Sequence, residues 1–113
     1  MFYSLGGSMT YYSINRKRVV CIARFLAKLG KEEKLVAALC SLVRNTRMEE
    51  GCIRYELNVC HENPRIITVI EKFSDIEAFD EHCEKEEFKK FIQLILPNVV
   101  ESSDIDVYRE IVV

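Results

Sequence analysis

The stretch from Glu49 to Phe91, EEGCIRYELNVCHENPRIITVIEKFSDIEAFDEHCEKEEFKKF, constrains the fold more than any other part of this chain. Cys52 to Val59 alternate, with Ile53, Tyr55, Leu57 and Val59 on one side and Cys52, Arg54, Glu56, Asn58 and Cys60 on the other, as a strand with one face on a core should. His61, Glu62, Asn63 and Pro64 make a turn, and Arg65 to Phe73 return as a second strand, so the pair reads as an antiparallel hairpin. Ser74, followed by Glu77, has the pattern of a capping box and opens a short helix. On that helix Ile76, Phe79 and His82 lie about one turn apart, which carries His82 onto or beside the buried stripe.

The flanks complete the pattern. Val19 to Ala27 is a β-rich run with Val20, Ile22 and Leu26 on one face and Cys21, Ala23 and Phe25 on the other, both faces at least partly covered. Beyond Gly30, Glu32 and Glu33 suit the positive end of a helix whose apolar stripe is Leu35, Leu39, Leu42 and Val43. The helix is expected to end at Glu50, with Gly51 in the left-handed cap position. Phe88, Phe91, Ile92 and Ile95 form another helical stripe, expected to stop before Pro97, and Ile105 to Val113 read as the last strand. The sum is an α+β fold, the ferredoxin-like split β-α-β-β-α-β arrangement: a four-stranded antiparallel sheet with helices on one face. The other face, holding Cys21, Ala23 and Phe25 or else their neighbours, is left for a partner, and a homodimer through it is the expectation.

At 113 residues there is room for one domain, expected over residues 9–113. Residues 1–8, with Gly6, Gly7 and Ser8 ahead of Met9, read as a tag or disordered tail and carry no functional argument. A net charge of -2 with mixed signs gives no footprint for nucleic acid or an anionic membrane, and no apolar run is long enough to span a bilayer. Five cysteines without a close pair suggest neither a disulfide framework nor a zinc site, and a reducing, cytoplasmic setting is expected. Two histidines, one in a turn, are too few for an ordinary metal site, so no metal is expected.

In order along the chain stand Ala23, Arg24 and Phe25; Gly30 to Glu33; Glu50 to Glu56; Glu71, Lys72 and Phe73; and Ala78, Phe79 and His82 followed by Phe88 and Phe91. Together they resemble the antibiotic biosynthesis monooxygenase (ABM) domain family of the dimeric α+β barrel superfamily, in particular its quinol-monooxygenase-like members, over about Val19 to Ile111. The resemblance implies a dimer whose sheets pack against each other and a pocket between sheet and helices in each subunit. Relatives oxidise phenols or quinols with dioxygen and no bound cofactor, degrade haem, or isomerise a phosphorylated sugar. His82 matches the histidine common on the family's short helix, whereas Glu87 stands where a second histidine is often found. Haem-degrading members use an Asn and a Trp where this chain has Ala23 and His82, which argues against that route.

Cofactor-free oxidation of a dihydroxyaromatic needs a base and an apolar chamber, because the ring anion itself supplies the electrons. A histidine with an ordinary pKa of about 6.5 is suited to be that base, which makes His82 the catalytic candidate; the alternative is a packed helix histidine bonded to backbone. Tyr55 could donate to a substrate oxygen or simply be core, Arg24 could stabilise an oxyanion or reach solvent, and Glu71 could be a polar pocket group or half of a cross-strand pair. Ile22, Phe73, Phe79 and Phe91 complete the expected pocket. The reading is a monooxygenase of a small quinol or polyphenol using dioxygen and no cofactor. Its alternatives are an isomerase of a small phosphorylated or hydroxylated carbonyl compound and a non-catalytic small-molecule-binding dimer.

Overall fold

Alternation of β-branched residues in three runs, and a fourth run of mixed polarity, build the sheet that organises the molecule. The structure is a computed structural model and describes residues 2–4 and 11–113, so most of the N-terminal segment 1–8 lies outside the described residues. In chain order the elements are β1 (Phe2–Ser4), β2 (Tyr11–Ile14), β3 (Val19–Ala27), α1 (Glu32–Thr46), β4 (Cys52–Val59), β5 (Ile66–Phe73), α2 (Ile76–Glu84) and α3 (Glu86–Lys90). A π-helical turn (Phe91–Ile95), α4 (Leu96–Val99), β6 (Val100–Tyr108) and β7 (Ile111–Val112) follow. The main sheet has the order β4-β5-β3-β6, every neighbour antiparallel, which is the ferredoxin-like arrangement. Strands β1, β2 and β7 form a small second sheet.

The helices cover one face. Leu35, Leu39, Leu42, Val43 and Thr46 of α1 fall at three- and four-residue spacing and are buried, and they meet Ala23, Phe25, Ile67, Val69 and Phe73 from the sheet. Thus Cys21, Ala23 and Phe25 turn to the helices, and Val20, Ile22 and Leu26 to the open face, which resolves the parity that the sequence leaves open.

Several local expectations are corrected. Helix α1 ends at Thr46, not Glu50, and Arg47 pins that end by donating from Nε to the Tyr55 carbonyl at 2.8 Å. Gly51 is not in the left-handed region; among the described residues Gly30, at φ 76°, is the position that is. Gly51 is needed for close approach, since a Cβ there would overlap the Cβ of Ala78 on α2. The cap of α2 is Asp75, one residue past Ser74, whose side chain accepts from the Ala78 N–H at 2.8 Å. The last helix does not stop before Pro97: the π-helical turn re-registers the backbone, and Pro97 sits in the first turn of α4, where a missing N–H is tolerated. Strand β6 begins at Val100, not Ile105. In β4 a bulge between Cys52 and Arg54 makes Ile53 the extra residue and leaves it exposed, so Cys52 and Tyr55 pair with the inward-facing Phe73 and Glu71.

Candidate active site

The site is assembled where the α1–β4 turn meets α2 over β5. Close packing of Gly51 on Ala78, together with the 2.9 Å bond from the Ser74 N–H to the Gly51 carbonyl, seats the turn on the helix. One helical turn beyond Ala78 on that inward face comes His82, and two residues before Gly51 comes Glu49. Their side chains meet, with His82 Nδ1 3.3 Å from Glu49 Oε2.

His82 is 1% exposed and packs against Phe73, Phe88 and Tyr55 at ring-centroid distances of 5.1, 5.0 and 5.8 Å. A carboxylate can only accept, so the contact with Glu49 puts the ring proton on Nδ1 and leaves Nε2 with a lone pair. Nε2 has no hydrogen-bond partner and lies 3.9 Å from Glu71 Oε1, too far for a bond. Burial lowers the imidazole's pKa, and Glu49 opposes that shift.

Glu71 is the second buried ionisable group, at 5% exposure on the helix-side face of β5. Burial pushes its pKa up to about 7, against the pull of hydrogen bonds from the Tyr55 hydroxyl and the Cys21 thiol. In turn, burial and the nearby carboxyl raise the pKa of Tyr55 and push the Cys21 thiol up to about 12, keeping both as proton donors at neutral pH.

Beside this cluster lies a cavity of about 140 Å³ between sheet and helices. Its walls are apolar apart from Tyr55, Glu71 and the thiols of Cys21 and Cys83; Phe25, Phe79, Phe88, Phe91 and Ile92 are prominent, and Ile105 of the uncovered edge strand β6 also lines it. Tyr55, Glu71, Phe79 and Phe91 are therefore brought together as the sequence suggests. Phe73 is fully buried behind them, against Phe79 and His82. His82 stands behind the cavity wall, next to Glu71, and does not itself line the cavity. Ile22 and Arg24 do not join the site: strand alternation puts them on the open face, Ile22 at 37% exposure, because their neighbours Cys21, Ala23 and Phe25 take the inward positions. Sequence reading missed Glu49, whose only signal was its place beside a glycine that folds back on a helix. Among the described residues no group of His, Cys, Asp and Glu has the arrangement to hold a metal ion, and no helix is long and apolar enough to cross a membrane.

A four-stranded antiparallel sheet, helices on one face and an apolar cavity between them with a buried acid–imidazole cluster define a small α+β domain with a candidate site between sheet and helices. The antibiotic biosynthesis monooxygenase family model matches residues 18–94, and the chain belongs to that family. It is similar to protein SO0527 from Shewanella oneidensis, at 49% identity over 90% of this chain and 99% of that one, with a TM-score of 0.89. It is similar also to PA3566 from Pseudomonas aeruginosa, at 26% identity over 83% of this chain and 94% of that one, with a TM-score of 0.78. A solved structure described as an antibiotic biosynthesis monooxygenase shares 27% identity over 80% of this chain and 95% of that one, with a TM-score of 0.72. No curated protein matches the chain.

Proposed function

We propose that the protein is a cofactor-independent monooxygenase that oxidises a small quinol or polyphenol with dioxygen. The observation that carries this reading is an apolar cavity whose strongest polar feature is one buried carboxyl, Glu71, backed by the lone pair of His82. A hydroxyl pointing at Glu71 loses its proton to the Glu71–His82 pair, the electron-rich ring anion reduces dioxygen, one oxygen atom enters the ring and the other leaves as water. Low polarity in the rest of the chamber favours dioxygen and a flat ring over bulk water.

Size narrows the substrate. An apolar cavity of about 150 Å³ accommodates one benzene ring, and the volume of about 140 Å³ here accordingly suits a single ring better than a fused polycycle. Charge narrows it further, because the residues lining the cavity include no Lys or Arg. A phosphorylated sugar would have no counter-ion there, which counts against the isomerase alternative.

The active form in this reading is a homodimer through the open sheet face. Support comes from the shape, 18 Å thick with a radius of gyration of 16.2 Å, against about 13 Å for a compact chain of this length. It comes also from Val20, Ile22, Leu26, Ile66 and Ile70, which form an incompletely buried apolar patch on that face. Arg24, which pairs in register with Asp104, serves this interface and not the chemistry.

The test is oxygen uptake by purified protein against a panel of hydroquinones and hydroxynaphthalenes in metal-free buffer, beside a no-enzyme control and His82→Ala. Uptake above autoxidation, with kcat reduced about a hundredfold or more in the variant, is expected. No uptake on any ring refutes the oxygenase reading and leaves a binding role for the cavity.

A further inference from the structure

We infer that Glu71, His82 and Glu49 form a proton relay from the cavity to the protein surface, in which Glu71 meets the substrate hydroxyl, His82 passes the proton and Glu49 delivers it to water. The inference rests on the oxygenase reading for what the relay serves, but the coupling of the three groups is a property of the protein alone.

The geometry runs in one line through the imidazole. Glu71 lines the cavity and His82 does not, so a bound ring reaches the carboxyl first. Two donors, the Tyr55 hydroxyl and the Cys21 thiol, already hold that carboxyl, leaving His82 Nε2 at 3.9 Å as its nearby base. Nε2 is buried with no partner, an expensive state for a polar atom unless something arrives there. A shift of about 1 Å brings it within hydrogen-bond reach of the acid. On the far side of the ring, Nδ1 faces Glu49 at 3.3 Å, and the Glu49 side chain is 18% exposed against 1% for His82. One end of the triad is therefore in the cavity and the other meets solvent.

The proton count balances. The substrate O–H bond breaks and its proton goes to a Glu71 carboxylate oxygen; Nε2 takes that proton as Nδ1–H gives its own to Glu49, which releases it to water. The ring anion left in the cavity favours the imidazolium in passing, since it supplies a negative neighbour where the apolar walls supply none. The charged and titratable groups that bear on His82 are Glu49 from the α1–β4 turn, Tyr55 from β4, Glu71 from β5 and Lys85 beyond the end of α2. Of these Lys85 opposes protonation of the ring and Glu49 favours it. Glu49 is thus a positioning residue, which fixes the tautomer and carries the proton away.

The test is nitrogen-15 NMR of the full-length protein, which has only two histidines, His61 in an exposed turn and His82. Wild type, Glu49→Gln, Glu49→Asp and Glu71→Gln are titrated from pH 4 to 9, with oxygen uptake on hydroquinone measured in parallel. The relay requires neutral His82 to carry its proton on Nδ1 in the wild type and in Glu49→Asp. In Glu49→Gln, whose amide oxygen still accepts from Nδ1–H but cannot take its proton, the tautomer is kept and kcat falls on the order of a hundredfold with KM little changed. In the wild type the His82 resonances also shift as Glu71, 3.9 Å from Nε2, ionises near pH 7, and Glu71→Gln abolishes that inflection. An Nε2–H tautomer in the wild type, or a His82 titration indifferent to Glu71→Gln, overturns the relay. If the couplings are present but no preparation consumes oxygen, the oxygenase reading fails and the relay stands; if Glu49→Gln oxidises hydroquinone at the wild-type rate, the relay fails and the oxygenase reading stands.

Discussion

Replacing Glu71 by Gln should stabilise the protein at alkaline pH and do nothing for it in acid. The Glu71 pKa is pushed from an ordinary 4.5 up to about 7, chiefly by burial. Below pH 4.5 the carboxyl is protonated in folded and unfolded chains alike and costs nothing. Between that value and 7 the unfolded chain gives up its proton while the folded one keeps it, so stability falls as pH rises, and above 7 the loss is complete. The size of the shift corresponds to about 3 kcal/mol, an upper bound for a site where the backbone can relax. Gln keeps the same shape and an oxygen that can accept from Tyr55 and Cys21, but it has no charge to bury. Burial acts on His82 in the opposite sense: its lowered pKa means stability is lost as pH falls through about 6.5, where the unfolded imidazole takes up a proton. Both proteins carry that histidine, so the difference between their stability curves isolates Glu71. Urea unfolding at matched protein concentration should give curves that coincide near pH 4.5 and separate by up to about 3 kcal/mol at pH 8, or roughly 10 °C in Tm. Curves that run parallel from pH 4.5 to 8 would refute the claim that burial brings the Glu71 pKa up to about 7, where a carboxyl can take a substrate proton and pass it on.

Gly51→Ala should cost about 1 to 3 kcal/mol in urea unfolding, because the new methyl meets Ala78, and it should also loosen the Glu49–His82 contact, seen as a shifted His82 resonance. Gly30→Ala has open space around it but a φ of 76°, so its cost is conformational, about 1 kcal/mol with an unchanged His82 signal. By light scattering the wild type should run as a dimer and Ile22→Glu, which places a charge in the open-face patch, as a monomer. The Cys21 and Cys83 thiols, with pKa values pushed up to about 12 and about 11, should resist iodoacetamide at pH 8 in the native protein and react once it is unfolded, as read by mass spectrometry.

The fold was legible because its evidence is local. Strand alternation, the turn at His61 to Pro64 and the helical stripes each depend on a few neighbouring residues, and their order leaves few ways to connect a sheet. Errors arose where one residue changes the phase. The single extra residue at Ile53 shifts Cys52 inward, and the π-helical turn carries the chain across Pro97; both are one-residue adjustments that periodicity averages away. Strand β3 is apolar on both faces, so parity alone did not say whether Ile22 and Arg24 or Cys21 and Phe25 faced the helices.

The site was harder to read than the fold because its chemistry depends on distance between segments remote in sequence. His82 was visible as a histidine on an apolar stripe, and Tyr55 and Glu71 as polar groups with inward or ambiguous parity. What could not be read was that Glu71 and Tyr55 are cross-strand partners across β4 and β5, a pairing that exists only because the bulge resets the register after Cys52. Glu49 was invisible for a related reason. Its meeting with His82, 33 positions away, requires the turn to press on α2 at Gly51. A side chain at Gly51 would push the two apart, and the imidazole would lose the group that keeps its proton on Nδ1. The glycine that sequence reasoning assigns to a helix cap is thus better understood as part of the site's geometry: its missing Cβ sets the distance between a carboxylate and the ring it orients.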